Sequence, residues 1–508
     1  MTREKGAYIM EHFGILSLLP SIVALTLAIL SKRVVPSLLA GILIGSLMID
    51  IRTNGVLHAI MYSITNLFGA IAGHPANSDA GIQGMGIIKE AGRAELIIVV
   101  FLLGAFIGVL NKSGGAYAFG EWLATKVRGK KGAQVSTAVM GTSLFTSAYF
   151  SSLATGTVFK PIFDRMKISR EKLAFLLDST SSPINVLIPI SGWVAFMGAL
   201  MVDNIPSVDD PIAGLAQTVP FNFYNIVMIL MVFLFASGKI KDFGPMKKAE
   251  ERAQHFNYGG VNPEVSATTE EPDTSEATKN AKPSDMVLPL GVTVGMLVFL
   301  GLYNYTLPYF FSIEKLPLDG NKMLIISFSL GIIVAFIKYL ASNLMGPKEF
   351  SNELFEGSKS VIFGAVIITL AVTLGDIMRA PAPEGTGAAA YIEQIAKGVI
   401  PSAIIPFALF ALSGFVAFSM GTSFGTWAIM MPIGVSLMLA TGGDPIIAAA
   451  AVLSGGAFGD HTSPISDTSI MSSVGAECNH MQHINTQLPY ALTSAGIASV
   501  LFLIAGFI

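Results

Sequence analysis

Asp178, Asp460 and Asp467 each sit inside an otherwise apolar run, beside serines and threonines and within a few residues of a proline. A carboxylate at such a place in a bilayer is expensive. It persists where it lines a polar cavity, pairs with a partner or handles an ion. The neighbouring side chains narrow the ion. Thr180, Ser181, Ser182 and Asn185 follow the first aspartate; Thr462, Ser463, Ser466 and Thr468 surround the other two. All offer hard oxygen with no soft ligand beside them, which suits a small hard cation. Pro183 and Pro464 each remove a backbone donor and predict a helix break. Carbonyls freed at membrane depth are tolerated only where they meet a cavity or a ligand. Burial also disfavours the charged form of a carboxylate, so such a group can take up a proton or a sodium ion in competition.

Further residues would complete that shell. Thr142, Ser143, Thr155, Gly156 and Thr157 are expected at the tip of one hairpin, and Thr422, Ser423, Gly425 and Thr426 at the tip of another. Glycine permits such reversals and a close approach of backbone to an ion. Any single Ser or Thr here can equally bond back to its own helix or glue helices together, and Pro183 can be a structural kink. His461 reads as a proton carrier or cation ligand, or as a structural histidine. Glu477, His480 and His483 resemble a metal cluster by composition, but their place near the expected cytoplasmic surface favours a loop or vestibule. Asp376 reads as a helix-end residue or as the ion-pair partner of Arg379.

The elements that must position these groups are membrane helices. Hydrophobic residues make up 52% of the 508 and charged residues only 13%, against about 25% charged in a soluble domain. Apolar runs fall near 13–30, 34–51, 94–111, 133–159, 173–201, 221–237, 286–303, 322–341, 360–378, 400–440, 446–472 and 487–508. Many have the roughly 17–25 residues that cross a hydrocarbon layer as a helix. The first run lacks a cleavage pattern and reads as a retained helix. A net charge of −3 suggests no nucleic-acid partner, and the single Cys478 excludes an internal disulfide or Cys-cluster metal site. No nucleophile–base pair or phosphate loop marks an enzyme, and no cofactor is expected.

Residues 239–284 are rich in charge, Ser, Thr and Pro, and read as a disordered cytoplasmic linker. They separate a first repeat, 1–238, from a second, 285–508, each of about five transmembrane helices plus a hairpin. Lysines and arginines flank 133–159 on both sides, so both ends face the cytoplasm. Two crossings do not fit that length, and a re-entrant hairpin does. Residues 203–220, 304–320, 379–399 and the turn at Asp444 are expected outside, with 342–359 inside. The 400–440 stretch would then open outward, although two short crossings also fit its length. The count closes on ten crossings and two hairpins, with both termini outside.

The halves also resemble each other. GVLNKSGGAYAFGEWLATK (108–126) echoes GDIMRAPAPEGTGAAAYIEQIAK (375–397). Gly156-Thr157 with Pro161-Ile162 echoes Gly425-Thr426 with Pro432-Ile433, and the run from Asp178 to Asn185 echoes that from Asp460 to Asp467. Similar sequence in opposite expected orientation predicts inverted-topology repeats, which give alternating access around a midplane site. The expected fold is thus an all-α polytopic membrane protein of two inverted-topology repeats. Each repeat carries a re-entrant hairpin and a broken transmembrane helix.

The stretch GGAFGDHTSPISDTSIMSSVGAECNHMQHINTQLPYA (455–491) resembles the signature of the NhaC family of sodium/proton antiporters, within the ion-transporter superfamily. That resemblance implies secondary active antiport across a bacterial cytoplasmic membrane, and a place in the ion site for Asp460, Thr462, Ser463, Asp467 and Thr468. Asp178 and the SSPIN run join them through the internal repeat. Some relatives exchange organic acids such as malate and lactate, so a sodium- or proton-coupled organic-acid exchanger or amino-acid carrier is the alternative; a passive cation channel is a third reading. The expected partners are sodium, protons and the lipid bilayer, with a homodimer added by fold-level analogy.

Overall fold

A computed structural model describes residues 12–31, 33–72, 91–145, 147–189, 191, 193–255, 280–303, 316, 318–382, 384–396 and 401–507. No strand occurs among them. The chain opens with α1 (Leu19–Ser31), α2 (Val34–Asn54) and α3 (Val56–Ala72). Next come α4 (Ala91–Lys112) and α5 (Gly115–Ala124), bent by 55°. A helical pair, α6 (Gly129–Ser143) and α7 (Ala148–Arg165), precedes α8 (Arg170–Leu187) and α9 (Val194–Asn204), which are separated at 188–193. Then follow α10 (Pro211–Thr218) and α11 (Phe223–Ala236), bent by 63°, and α12 (Gly244–His255).

The second half has α13 (Pro283–Gly301), α14 (Gly320–Ala341), α15 (Pro347–Ser360), α16 (Ile362–Arg379) and α17 (Ala388–Ala396). A second pair, α18 (Ile405–Met420) and α19 (Ser423–Ala440), leads to α20 (Pro445–Thr462) and α21 (Asp467–Ala476), separated at 463–466, and α22 (His480–Ala505) closes the fold. A pair followed by an interrupted helix therefore occurs once in each half. Among the described residues, eight helices are long and apolar enough to cross a membrane, or up to ten if each bent pair is one span. Large apolar side chains such as Leu30, Ile64, Phe363 and Phe507 stand exposed, as a lipid-facing surface requires.

Local chemistry explains the boundaries around the centre. Ser169 caps α8 by accepting from Lys172 N, and Ser466 caps α21 by accepting from Ser469 N. Asp444 caps α20 with Pro445 in its first turn, where the missing N–H costs nothing. The interruption between α20 and α21 falls where Pro464 predicts it, with Ser463 extended at ψ 130°. The other expectation needs correction: Pro183 lies inside α8, which continues to Leu187. Ile188 is extended at ψ 110°, because the steric bulk of the following Pro189 drives its predecessor out of the helical region.

The hairpin tips also shift. α6 ends at Ser143 and α7 begins at Ala148, so Thr142 and Ser143 close the first helix of the pair, whereas Thr155, Gly156 and Thr157 lie two turns into α7. The second turn is at Gly421 and Thr422, with Ser423, Gly425 and Thr426 in the first turn of α19. At 15 residues, α6 reaches about 22 Å at 1.5 Å per residue, short of a ~30 Å hydrocarbon layer. In the second pair, Ser402–Met420, which ends in α18, and α19 each qualify as a crossing by length and composition.

The linker is not disordered from its start. Residues 244–255 form α12, packed against α8 and α22; residues 256–279 of the expected linker lie outside the described residues. Its anchors are specific. Glu250 accepts from Ser169 N and Oγ at 2.9 and 2.6 Å, and Arg252 pairs with Glu171 at 2.6 Å. Lys172, fully buried, pairs with Asp242 among the rings of Phe175, Phe235 and Tyr490. These contacts gather basic side chains at one end of the molecule, the end that the positive-inside rule assigns to the cytoplasm. Arg379 joins Asp203 and Asp376, each at 2.8 Å, as the ion-pair reading of Asp376 expected.

Candidate functional site

The interruption between α20 and α21 is where the two helical pairs meet. On one side Gly421, with φ +67°, turns so close to it that a Cβ there would lie 2.6 Å from the Ile465 carbonyl oxygen. On the other side α7 lies against α21. A Cβ on Gly156 would fall 2.3 Å from Gly475 O, and Ser152 and Ser472 share a hydroxyl–hydroxyl bond of 3.0 Å. Small residues let helices approach this closely within a membrane.

Asp460, 2% exposed, ends α20 facing the second pair. Its Oδ2 accepts from Ser423 Oγ at 2.6 Å and Ser423 N at 3.3 Å. Its Oδ1 is buried with no hydrogen-bond partner. Asp178, fully buried on α8, shows the same asymmetry. Its Oδ2 accepts from Ser469 Oγ and Gln487 Nε2, both at 2.7 Å, and lies 3.3 Å from His483 Nε2. Its Oδ1 again has no partner. Asp467 differs: it is exposed, where α7 meets the start of α21, and its Oδ2 accepts from the Tyr149 hydroxyl. The three carboxylates lie within electrostatic reach of one another. Among the described residues no Lys or Arg pairs with any of them.

The Asp178 and Asp460 environments lie on different sides of α20. Asp460 and His461 are adjacent on α20, so their side chains leave it in different directions. His461 Nε2 bonds Ser179 Oγ at 3.1 Å and stands 3.8 Å from Asp178, while Nδ1 bonds the Tyr224 hydroxyl at 2.7 Å. Gln487 ties the two sides by also donating to His461 O at 2.6 Å. Both nitrogens of His461 are thus partnered. His483 has only one partnered, its Nδ1 being buried without a partner. The vestibule reading fails for His483, which is fully buried against Asp178. His480 spans the interruption, from Ser473 Oγ to Pro464 O.

The remaining candidates divide. Ser466 and Thr468 bond to each other at 3.0 Å beside Asp460, and Ser463 donates to Phe418 O at 2.7 Å. Thr180, Ser181, Thr462, Thr142, Ser143, Thr157 and Thr426 donate to carbonyls of their own helices, the satisfaction usual for hydroxyls in a helix. Ser182 Oγ, Asn185 Oδ1 and Thr155 Oγ1 are buried with no partner. Gly425 packs against Val34, so it serves the packing of α19 rather than a turn. Tyr149, Ser469, Gln487 and Tyr224 were not anticipated. Ser469 and Gln487 stand in polar stretches of the motif, where spacing to Asp178, some 300 residues away, is invisible.

No group of three or more His, Cys, Asp and Glu suited to a metal ion occurs among the described residues. Glu477 instead anchors the basic end of the molecule, between Lys160 and Arg170. Burial opposes its ionisation, but the bonds from those two cations outweigh it and hold its carboxyl below the usual value.

Lipid-length helices, interrupted at buried carboxylates and hydroxyls, define a multi-pass membrane transport protein. The chain belongs to the Na+/H+ antiporter family, which it matches over residues 1–214 and again over 210–507. It is 31% identical to an uncharacterized protein of Haemophilus influenzae over 98% of this chain and 93% of the other. The Na+/H+ antiporter NhaC of Bacillus subtilis is 29% identical, over 43% of this chain and 46% of its own. The malate-2H+/Na+-lactate antiporter of the same species is 32% identical over 22% and 26%. The structure of Neisseria gonorrhoeae MtrF shares the fold, with a TM-score of 0.56 at 15% identity, covering 90% of this chain and 85% of that one. The protein is accordingly a secondary transporter of the bacterial inner membrane, not an enzyme.

Proposed function

We propose that this chain exchanges sodium for protons across the cytoplasmic membrane by alternating access. The observation that carries the reading is the shared asymmetry of Asp178 and Asp460. Each anchors one carboxylate oxygen with donors and keeps the other buried with none. A buried carboxylate oxygen without a donor leaves a place where a proton or a cation can supply the missing partner. A proton or a hard cation can occupy that oxygen, but not both at once. Asp460 and Asp467, with Thr462, Ser463, Ser466 and Thr468 around them, form the principal site; Asp178, with Thr180, Ser181, Ser182 and Asn185, forms a second carrier or co-ligand group.

The inverted repeats, 1–238 and 285–508, would rock these groups between the two faces. The way each pair turns against the α20–α21 interruption supports hairpins that enter from opposite faces. An organic-acid exchanger would need a cation or several donors directed at a carboxylate substrate. The site's three carboxylates, paired with no Lys or Arg among the described residues, favour a bare cation instead. Radioactive sodium uptake into proteoliposomes against an outward proton gradient tests the reading. Uptake that requires malate or lactate would replace it with the organic-acid alternative.

A further inference from the structure

We propose that Tyr149 couples the occupancy of Asp467 to the position of the α6–α7 pair, its hydroxyl holding the carboxylate oxygen that a cation must take. The inference rests on the sodium/proton reading and adds the residue through which ion binding would move the hairpin. Tyr149 is the second residue of α7, just after its Ser147 N-cap. Its hydroxyl donates to Asp467 Oδ2, while Oδ1 accepts from Thr468 N at 2.8 Å within its own turn. The contact thus ties the hairpin in the first half to the interrupted helix in the second.

Position makes this contact different from the others. Asp178 and Asp460 are sealed, whereas Asp467 is exposed and Tyr149 is 45% exposed. The pair therefore stands between the sealed centre and the surface, as a gate must. The other fastenings of α7 to α21 are the Ser152–Ser472 bond and the Gly156–Gly475 approach, both neutral, and the Lys160–Glu477 pair at the far, basic end. Of these four joints, only Tyr149 touches a candidate ion-binding carboxylate. A hydroxyl donating to a carboxylate makes a charge-assisted bond, which a cation on the same oxygen displaces. A neutral, protonated carboxyl can still accept from it, so protonation keeps the joint and sodium opens it.

Among the described residues, the titratable groups within electrostatic reach of Asp467 are Tyr149 on α7, Asp178 on α8 and Asp460 on α20. None is a permanent cation that could replace the tyrosine. Ser466 and Thr468, which flank Asp467 in sequence, are bonded to each other.

The test compares wild type with Tyr149→Phe, which keeps the ring and removes the O–H. In proteoliposomes, the variant should lower KM for sodium about tenfold, the loss of one charge-assisted bond to the empty carboxylate. It should change kcat less and move the pH profile to the alkaline side, because the lost donor favoured the ionised carboxylate. A role in packing alone would lower kcat and leave KM and the pH profile in place, and that result overturns the inference. Hydrogen exchange of residues 144–152, measured in sodium against choline, reads the coupling without transport. Sodium should speed exchange in wild type, and Tyr149→Phe should show the fast rate in either salt. No sodium effect in wild type overturns the inference, whether or not the protein exchanges sodium for protons. A sodium effect on the hairpin in a protein that moves no protons would leave the gate standing and remove the antiport reading.

Discussion

Replacing Gly156 by alanine tests the contact that sets α7 against α21. The added Cβ would meet Gly475 O at 2.3 Å, its carbonyl carbon at 2.5 Å and its Cα at 2.9 Å. All three are backbone atoms, so no side chain can swing aside. Reaching ordinary contact requires the two helices to part by about 1 Å, since packed interiors hold no slack to absorb it. One turn away, that movement stretches the 3.0 Å Ser152–Ser472 bond out of hydrogen-bonding range. Overpacking costs about 1–3 kcal/mol and a lost buried hydroxyl bond about 1 kcal/mol, together roughly 2–4 kcal/mol. The same shift draws Tyr149 from Asp467, so exchange should fall with stability. The assay is thermal unfolding of the detergent-purified protein, followed by sodium-driven proton movement in proteoliposomes. Gly295→Ala is the control, for a Cβ there meets nothing within 4 Å. A fall of several degrees for Gly156→Ala with none for Gly295→Ala supports the packing. Equal midpoints and full exchange in both would refute it.

Gln487→Leu removes the amide that donates to both Asp178 and His461 O. Exchange should drop roughly 10- to 100-fold, as for a bond to a charged group, with the protein still in the membrane; a rate within twofold of wild type would free Gln487 of any role. At the basic end of the molecule, burial raises the Glu250 carboxyl above its usual value, and the bonds from Ser169 offset only part of that. Because the docked state favours the protonated form, α12 should hold most firmly at acidic pH and loosen as pH rises through the raised value. The protection of residues 244–255, relative to the intrinsic amide exchange rate at each pH, should therefore fall with pH in wild type and stay level in Glu250→Gln. Identical pH dependence in both would exclude Glu250 as the cause.

The residue types at the centre were legible because a carboxylate in an apolar run stands out against its surroundings. Asp178, Asp460 and Asp467 needed no coordinates, and neither did the break at Pro464, since a proline after an extended serine is a local matter. The break at Pro189 was misassigned to Pro183 because both prolines share one apolar run. Only the path of the chain shows that the serine-rich turn around Pro183 keeps its helix. The depth of Asp467 was equally hidden, for hydropathy averages over a window and cannot tell a sealed residue from one at a helix junction. Tyr149, Ser469, Gln487 and the burial of His483 depend on contacts between segments some 300 residues apart. The helix at 244–255 was masked by its own composition: it is charged enough to read as linker, yet Glu250 and Arg252 find partners on α8.

Under the proposed function, sodium and protons compete for the carboxylates at the α20–α21 interruption. The most direct measurement of that competition is proton movement in proteoliposomes of the purified protein, with a trapped pH dye and sodium as the only added solute. Collapse of a preset pH gradient on adding sodium, abolished in Asp460→Asn while that variant still folds and inserts, is the predicted result. An intact gradient with sodium alone, or full exchange by Asp460→Asn, would contradict it.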